Sequence, residues 1–179
     1  LPLVCTMNCT GATDLLRKLF EIDLERFELC LKKSTPGAEG LITIPFFTGE
    51  RTPNLPNAKA CLLGLDDQNT GTNNILRSAV EGVTYGLKYG LGRLADNSVR
   101  AEKIILTGGG AKSDAWRQIV ADICDAPVEM HKQEEGAAFG AALQALAMLE
   151  ETELTSLVKE HLDRDSTRCC EPDPSTVTF

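Results

Sequence analysis

The feature that most limits what this chain can become is Ile104-Ile105-Leu106-Thr107-Gly108-Gly109-Gly110-Ala111-Lys112-Ser113-Asp114, an apolar run that empties into three consecutive glycines and then a helix start. A buried strand, a turn without side chains and a helix N-terminus, in that order, bring backbone N–H groups up to a ligand. The helix dipole then favours an anion. The stretch is therefore a candidate nucleotide site. It is not the dinucleotide fingerprint, because Ser113 stands where a third glycine is needed. Nor is it a Walker loop, since the four-residue spacer and the Gly-Lys-Ser/Thr ending are absent. On local pattern alone, a tight βα turn packed against its own sheet accounts for it equally well.

The elements around it alternate. Leu3 to Met7 is apolar and suits a buried strand, and Thr10-Gly11-Ala12-Thr13-Asp14 is a small-residue turn opening a helix that continues through Leu15 to Phe20. Between Asp23 and Lys33, the residues Leu24, Phe27, Cys30 and Leu31 recur at helical spacing, and Ser34-Thr35-Pro36-Gly37 ends that helix. Leu41 to Ile44 reads as a strand. From Pro45 to Asn74 loop signals dominate, and in Thr48-Gly49-Glu50-Arg51-Thr52-Pro53 the plainest reading of the two charges is a solvated ion pair. Asn74 to Ala95 is the longest helix, with Leu76, Val80, Val83, Leu87, Leu91 and Leu94 as its buried stripe.

Beside that stripe run Ser78, Gly82, Gly86 and Gly90, each four residues from the last. An interior glycine costs about 1 kcal/mol relative to alanine, so this line implies close approach of another backbone. Glu102 to Thr107 leads as a strand into the glycines, Ser113 is the expected N-cap of a helix running to about Asp125, and Pro127 to Met130 is a further strand. Ala137 to Leu143 is nearly all small residues, able to press against the sheet or the glycine-lined helix, and Glu151 to Leu162 is a last amphipathic helix. The order predicts an α/β chain with one main sheet.

A net charge of -8 sets the whole-molecule field against nucleic acid and anionic membranes, so a phosphate-bearing ligand would have to be held locally. The seven cysteines show no metal-type pairing and only two histidines could complete a zinc site, which reads as reduced thiols in a cytoplasmic protein. The chain opens on Leu1-Pro2-Leu3-Val4 without Met and reads like the inside of a domain, so a longer parent is expected.

Several of these stretches together resemble the C-terminal domain of the FGGY carbohydrate kinases. Ala60 to Leu65 followed by Asn74 to Gly82 is similar to the family's second signature in spacing and residue class. Gly49-Glu50-Arg51-Thr52-Pro53 resembles the loop before it in the family's xylulose-phosphorylating members, Leu106 to Gln118 resembles the adenosine motif, and Glu135 to Ala142 the helix that follows. The resemblance implies an actin-like ATPase, ribonuclease-H-like fold, a mixed sheet flanked by helices. It implies transfer of the ATP γ-phosphate to a sugar hydroxyl with Mg2+ as cofactor.

Carried over by position, Gly110 and Asp114 would approach the nucleotide, Gly109 and Ala111 would shape that turn, and Thr10, Gly11 and Asp14 would line the other side. Simple helix-start electrostatics is the competing account of Asp114. Residues 1–165 would be the nucleotide-binding domain, incomplete on its N-terminal side, and 166–179 a tail leading out. The general-base aspartate and the sugar-binding domain are expected upstream of Leu1, so no catalytic residue is assigned and this chain alone is expected to be inactive. The expected sugar is a ketopentose, D-xylulose, from Gly49 to Pro53. Ribulose, gluconate and glycerol are the alternatives, as is a non-catalytic nucleotide-fold piece acting in self-association. Expected partners are ATP or ADP and, through the missing domain, the sugar, with neither nucleic acid nor membrane and with a homodimer left open.

Overall fold

The computed structural model describes residues 2–133 and 136–176. Leu1, Glu135 of the last family motif and 177–179 of the tail lie outside the described residues.

Helices α1 (Thr10–Leu19) and α2 (Leu24–Lys33) come first. Asp23 starts α2 by accepting a 2.7 Å hydrogen bond from the Arg26 amide. The long helix α3 (Thr72–Ala95) is the spine, and α4 (Asp114–Cys124) follows the glycine turn. The predicted stripe holds where it matters most: Leu76, Val80 and Val83 are at most 1% exposed and share one core with Ala12, Phe27, Leu31, Trp116, Ile119 and Val128. Trp116 earns its buried place by donating its indole N–H to Thr84 Oγ1 at 3.2 Å.

The strands are short and form two sheets. β1 (Ile42–Ile44) pairs antiparallel with β2 (Cys61–Leu63), placing Ile42 opposite Leu63. β3 (Ile104–Ile105) pairs parallel with β4 (Val128–Glu129), and Val128 also bridges to Cys170. The expectation of one main sheet gives way to these two among the described residues. Leu3 to Met7 is not a strand, because side chains claim its backbone: the Met7 amide donates to Glu50 and the Cys5 carbonyl accepts from Thr52. β2 lies inside the stretch expected to be loop, where three residues are too few to show a period.

The glycine line of α3 is explained at two of its positions. At Gly82 a Cβ would fall well inside van der Waals distance of the Thr43 carbonyl oxygen of β1 and 3.2 Å from its carbon, and Ser78 Oγ lies 2.7 Å from Thr43 Oγ1. At Gly90 a Cβ would meet Val4 Cγ1 at 2.7 Å, whereas at Gly86 it would meet nothing within 4 Å. Gly86 borders instead a shallow apolar groove with Tyr85, Tyr89 and Phe46.

Because β1 and Val4 already occupy that line, α5 (Gly136–Leu149) does not press against it. Only Leu143 of α5 is buried; its neighbour is α6 (Leu154–His161), which buries Leu157. No described helix is long and apolar enough to cross a membrane.

Candidate nucleotide site

The turn after β3 begins at Gly108, whose φ of 87° and ψ of -171° are open only to glycine. Gly109–Lys112 then make one 3-10 turn, with Ala111 buried beneath it, and Ser113 caps α4 by accepting from the Trp116 amide at 3.0 Å. The expected cap is thus in place. The expected vacancy for an anion at the N-terminus of α4 is not. Glu28 of α2 accepts the Ala115 amide at 3.1 Å and the Ser113 hydroxyl, so a resident carboxylate already sits on the helix end.

Asp114 is held by two cations. Arg117, 3% exposed, donates to the Asp114 carboxylate and, through Nη1, to the Ala111 carbonyl at 2.8 Å; Lys32 lies 3.5 Å from Asp114 and 3.1 Å from Glu28. The hydrogen bond from Arg117 is the main reason the Asp114 carboxyl titrates below the usual range. The second bond from Arg117, to the Ala111 carbonyl, ties the glycine turn to the first turn of α4.

Between this turn and helices α1 and α2 lies a cavity of about 510 Å³. Thr10, Thr13, Asp14 and Arg17 form one wall, Leu24, Phe27 and Glu28 the second, and Gly109, Gly110, Lys112, Ser113, Asp114 and Trp116 the third. Its size is that of a small-molecule site, and Leu24, Phe27 and Trp116 supply the apolar surface. At Gly110 a Cβ would lie 3.3 Å from Thr10 Cγ2 and 3.5 Å from the Trp116 ring, so glycine keeps that approach open. At Gly109 a Cβ would meet nothing within 4 Å.

Of the residues expected to bind nucleotide, the fold brings Thr10, Asp14, Gly109, Gly110 and Asp114 to this one cavity. Gly11 is exposed and Ala111 buried, and neither lines it. Sequence reasoning missed Arg17, Glu28 and Lys112. Arg17 is anchored to Asp14 at 3.2 Å and to the Ile22 carbonyl at 2.9 Å. Glu28 looks locally like any solvent-facing glutamate of an amphipathic helix, and no spacing signal links it to Ser113. The Glu50 and Arg51 pair is corrected: Glu50 is 5% exposed and hydrogen-bonded to backbone amides rather than paired in solvent with Arg51. Among the described residues no group of three or more His, Cys, Asp or Glu side chains could hold a metal ion.

Fold and site define an α/β domain that carries a small-molecule cavity at the turn leaving a parallel strand pair. The chain belongs to the FGGY family of carbohydrate kinases, whose C-terminal domain matches residues 6–149. It is 42% identical over 168 residues to the xylulose kinase of Haemophilus influenzae, covering 93% of this chain and 34% of that protein. With the xylulose kinase of Streptomyces rubiginosus it shares 38% over 150 residues, covering 83% and 29%. The crystal structure of xylulose kinase from Bifidobacterium adolescentis superposes with a TM-score of 0.78 at 32% identity, over 98% of this chain and 34% of that one. The fold is accordingly the actin-like, ribonuclease-H-like domain of these sugar kinases. The chain spans about a third of the length of the relatives it matches.

Proposed function

We propose that this chain is the nucleotide-holding part of an ATP-dependent sugar kinase, that residues 1–165 form that domain, and that the sugar is D-xylulose. The observation that carries the first part is the meeting of Thr10 and Asp14 with Gly109, Gly110 and Asp114 around one cavity, although about a hundred residues separate them. Leu24, Phe27 and the Trp116 edge give a purine ring apolar surface. The carboxylates of Asp14 and Asp114 can accept from ribose hydroxyls or an adenine amino group, and bare backbone at Gly109 and Gly110 lets the ligand come close. Two cations, Arg17 and Lys112, face three acids, Asp14, Glu28 and Asp114, in the lining. That balance suits the nucleoside end of ATP better than its phosphates. Phosphoryl transfer is mostly positioning and charge neutralisation, and this chain's share is to fix the nucleotide in place. The sugar assignment rests on Gly49 to Pro53 and on the xylulose kinases among the relatives.

Calorimetric titration of the chain with ADP tests the reading. At Gly109 an added Cβ meets nothing within 4 Å, so Gly109→Leu fills ligand space and should weaken ADP more than tenfold, at least about 1.4 kcal/mol, with an unchanged circular dichroism spectrum. Unaltered affinity, or no heat from the unmodified chain, would reject it. For the sugar, a coupled assay of the parent protein across xylulose, ribulose, gluconate and glycerol should give the highest kcat/KM with xylulose.

A further inference from the structure

The Gly49-Glu50-Arg51-Thr52-Pro53 motif lies outside the nucleotide cavity, yet it is tied to one of the cavity's walls. We propose that Glu50, together with Asn8, is a positioning residue that sets Thr10 against Gly110 and so fixes the width of the nucleotide cavity. This inference rests on the reading of that cavity given above.

Both side chains are buried, each 5% exposed. Glu50 Oε1 accepts the amides of Met7 at 2.6 Å, Arg51 at 2.7 Å and Thr52 at 3.4 Å, while Oε2 accepts Asn8 Nδ2 at 3.1 Å. Asn8 Nδ2 also donates to the Gly49 carbonyl at 2.6 Å, and Thr52 Oγ1 donates to the Cys5 carbonyl at 2.8 Å. The loop that presents this carboxylate is itself stiff. Glu50 and Leu55 exchange both backbone hydrogen bonds at 2.9 Å, and Gly49, at a φ of 72°, leaves no room for a Cβ, which would lie 2.7 Å from the Pro56 carbonyl carbon.

What is fixed in this way is the entry to α1. Its N-cap residue, Cys9, makes no side-chain cap hydrogen bond, so the helix start is held from Met7 and Asn8 instead. Only Cys9 separates Asn8 from Thr10, whose Cγ2 is the nearest atom to a Cβ built on Gly110, at 3.3 Å. A shift of Thr10 by about 1 Å is enough to spoil a binding geometry of this kind. The chemistry requires a carboxylate, because it accepts at every lone pair, whereas an amide would turn an NH2 toward the N–H groups that now donate. Burial pushes the Glu50 carboxyl up, and the hydrogen bonds from Met7, Arg51, Asn8 and Thr52 outweigh it, so the group titrates below the usual carboxylate range and is ionised at neutral pH.

The test combines amide hydrogen exchange with ADP titration on the full chain, comparing the unmodified protein with Glu50→Gln, Asn8→Ser and Arg51→Ala. Glu50→Gln should speed exchange at residues 7–13 at least tenfold, leave residues 76–84 of α3 unchanged, and weaken ADP about tenfold. Asn8→Ser, which keeps the carboxylate, should act in the same direction more weakly and serves in its place if Glu50→Gln does not fold. Arg51→Ala, which keeps the carboxylate and removes the 3.2 Å hydrogen bond from Nη1 to Cys5 Sγ, should change both measurements far less than Glu50→Gln. Unchanged exchange at residues 7–13, faster exchange there with unchanged ADP affinity, or uniformly faster exchange across α3 each overturns the inference about Glu50. Absence of ADP binding by the unmodified chain overturns the nucleotide reading itself, and the cavity-width role falls with it.

Discussion

Gly82 and Gly86 are one turn apart on the same helix, and the structure gives them opposite responses to the same added methyl group. In both, alanine removes the backbone-entropy cost of an interior glycine, a gain of about 1 kcal/mol. At Gly86 nothing opposes it, since a Cβ meets no atom within 4 Å. At Gly82 the methyl collides with the Thr43 carbonyl, a backbone group held in β1 by its pairing with β2, and comes within 3.4 Å of Pro45 Cδ. Overpacking against side chains costs about 1–3 kcal/mol, and a strand carbonyl cannot rotate away, which places this case at the upper end, about 3 kcal/mol. The net expectation is about 2 kcal/mol of destabilisation for Gly82→Ala and about 1 kcal/mol of stabilisation for Gly86→Ala. For a chain of this length each 1 kcal/mol is about 2–4 °C, so calorimetric melting should separate the two variants by about 6–12 °C. Urea unfolding gives the free energies directly. Two shifts of the same sign would refute the claim that β1 sits on the glycine line of α3.

Acid stability and thiol reactivity supply two further checks. Hydrogen bonds from Thr167, then Arg168, hold Asp165 down to about 2, below its unfolded value, so the stability it contributes is complete above the unfolded pKa and disappears as pH falls toward about 2. Asp165→Asn should flatten the acid limb of unfolding, and an acid limb of unaltered slope would contradict this. Burial pushes the Cys124 thiol up to about 11, while Cys61 is exposed. Iodoacetamide at mildly alkaline pH should therefore modify Cys61 well before Cys124 in peptide mass spectrometry, and equal rates would count against the described packing of Cys124.

Much of the architecture was legible because it is carried by local signals. The stripe Leu76, Val80, Val83, the cap Ser113 and the glycine turn all act within a few residues, and all stand where the sequence implied. What could not be read lies in contacts between distant segments. Leu3 to Met7 has the composition of a strand, but the groups that satisfy its backbone come from Glu50 and Thr52, more than forty residues away. Glu28 reaches the start of α4 across a gap about twice as long, 85 and 87 residues, and only the folded arrangement reveals that it takes the place an anion would have had. For the same reason Gly11 and Ala111, adjacent in sequence to cavity-lining residues, point elsewhere: neighbouring positions on a helix or turn need not share a face.

Helix α5 has a practical consequence for anyone handling the purified chain. Between Gly136 and Leu149 it carries no charged residue, and Met148 and Leu149 are each 82% exposed. Such a greasy ridge invites fluorescent reporters of hydrophobicity to light up on intact molecules, giving a high starting signal in dye-monitored melts. Intrinsic emission from Trp116, 6% exposed and packed in the core beside the ligand cavity, changes when that core opens and is the more faithful witness of unfolding in ligand-free samples.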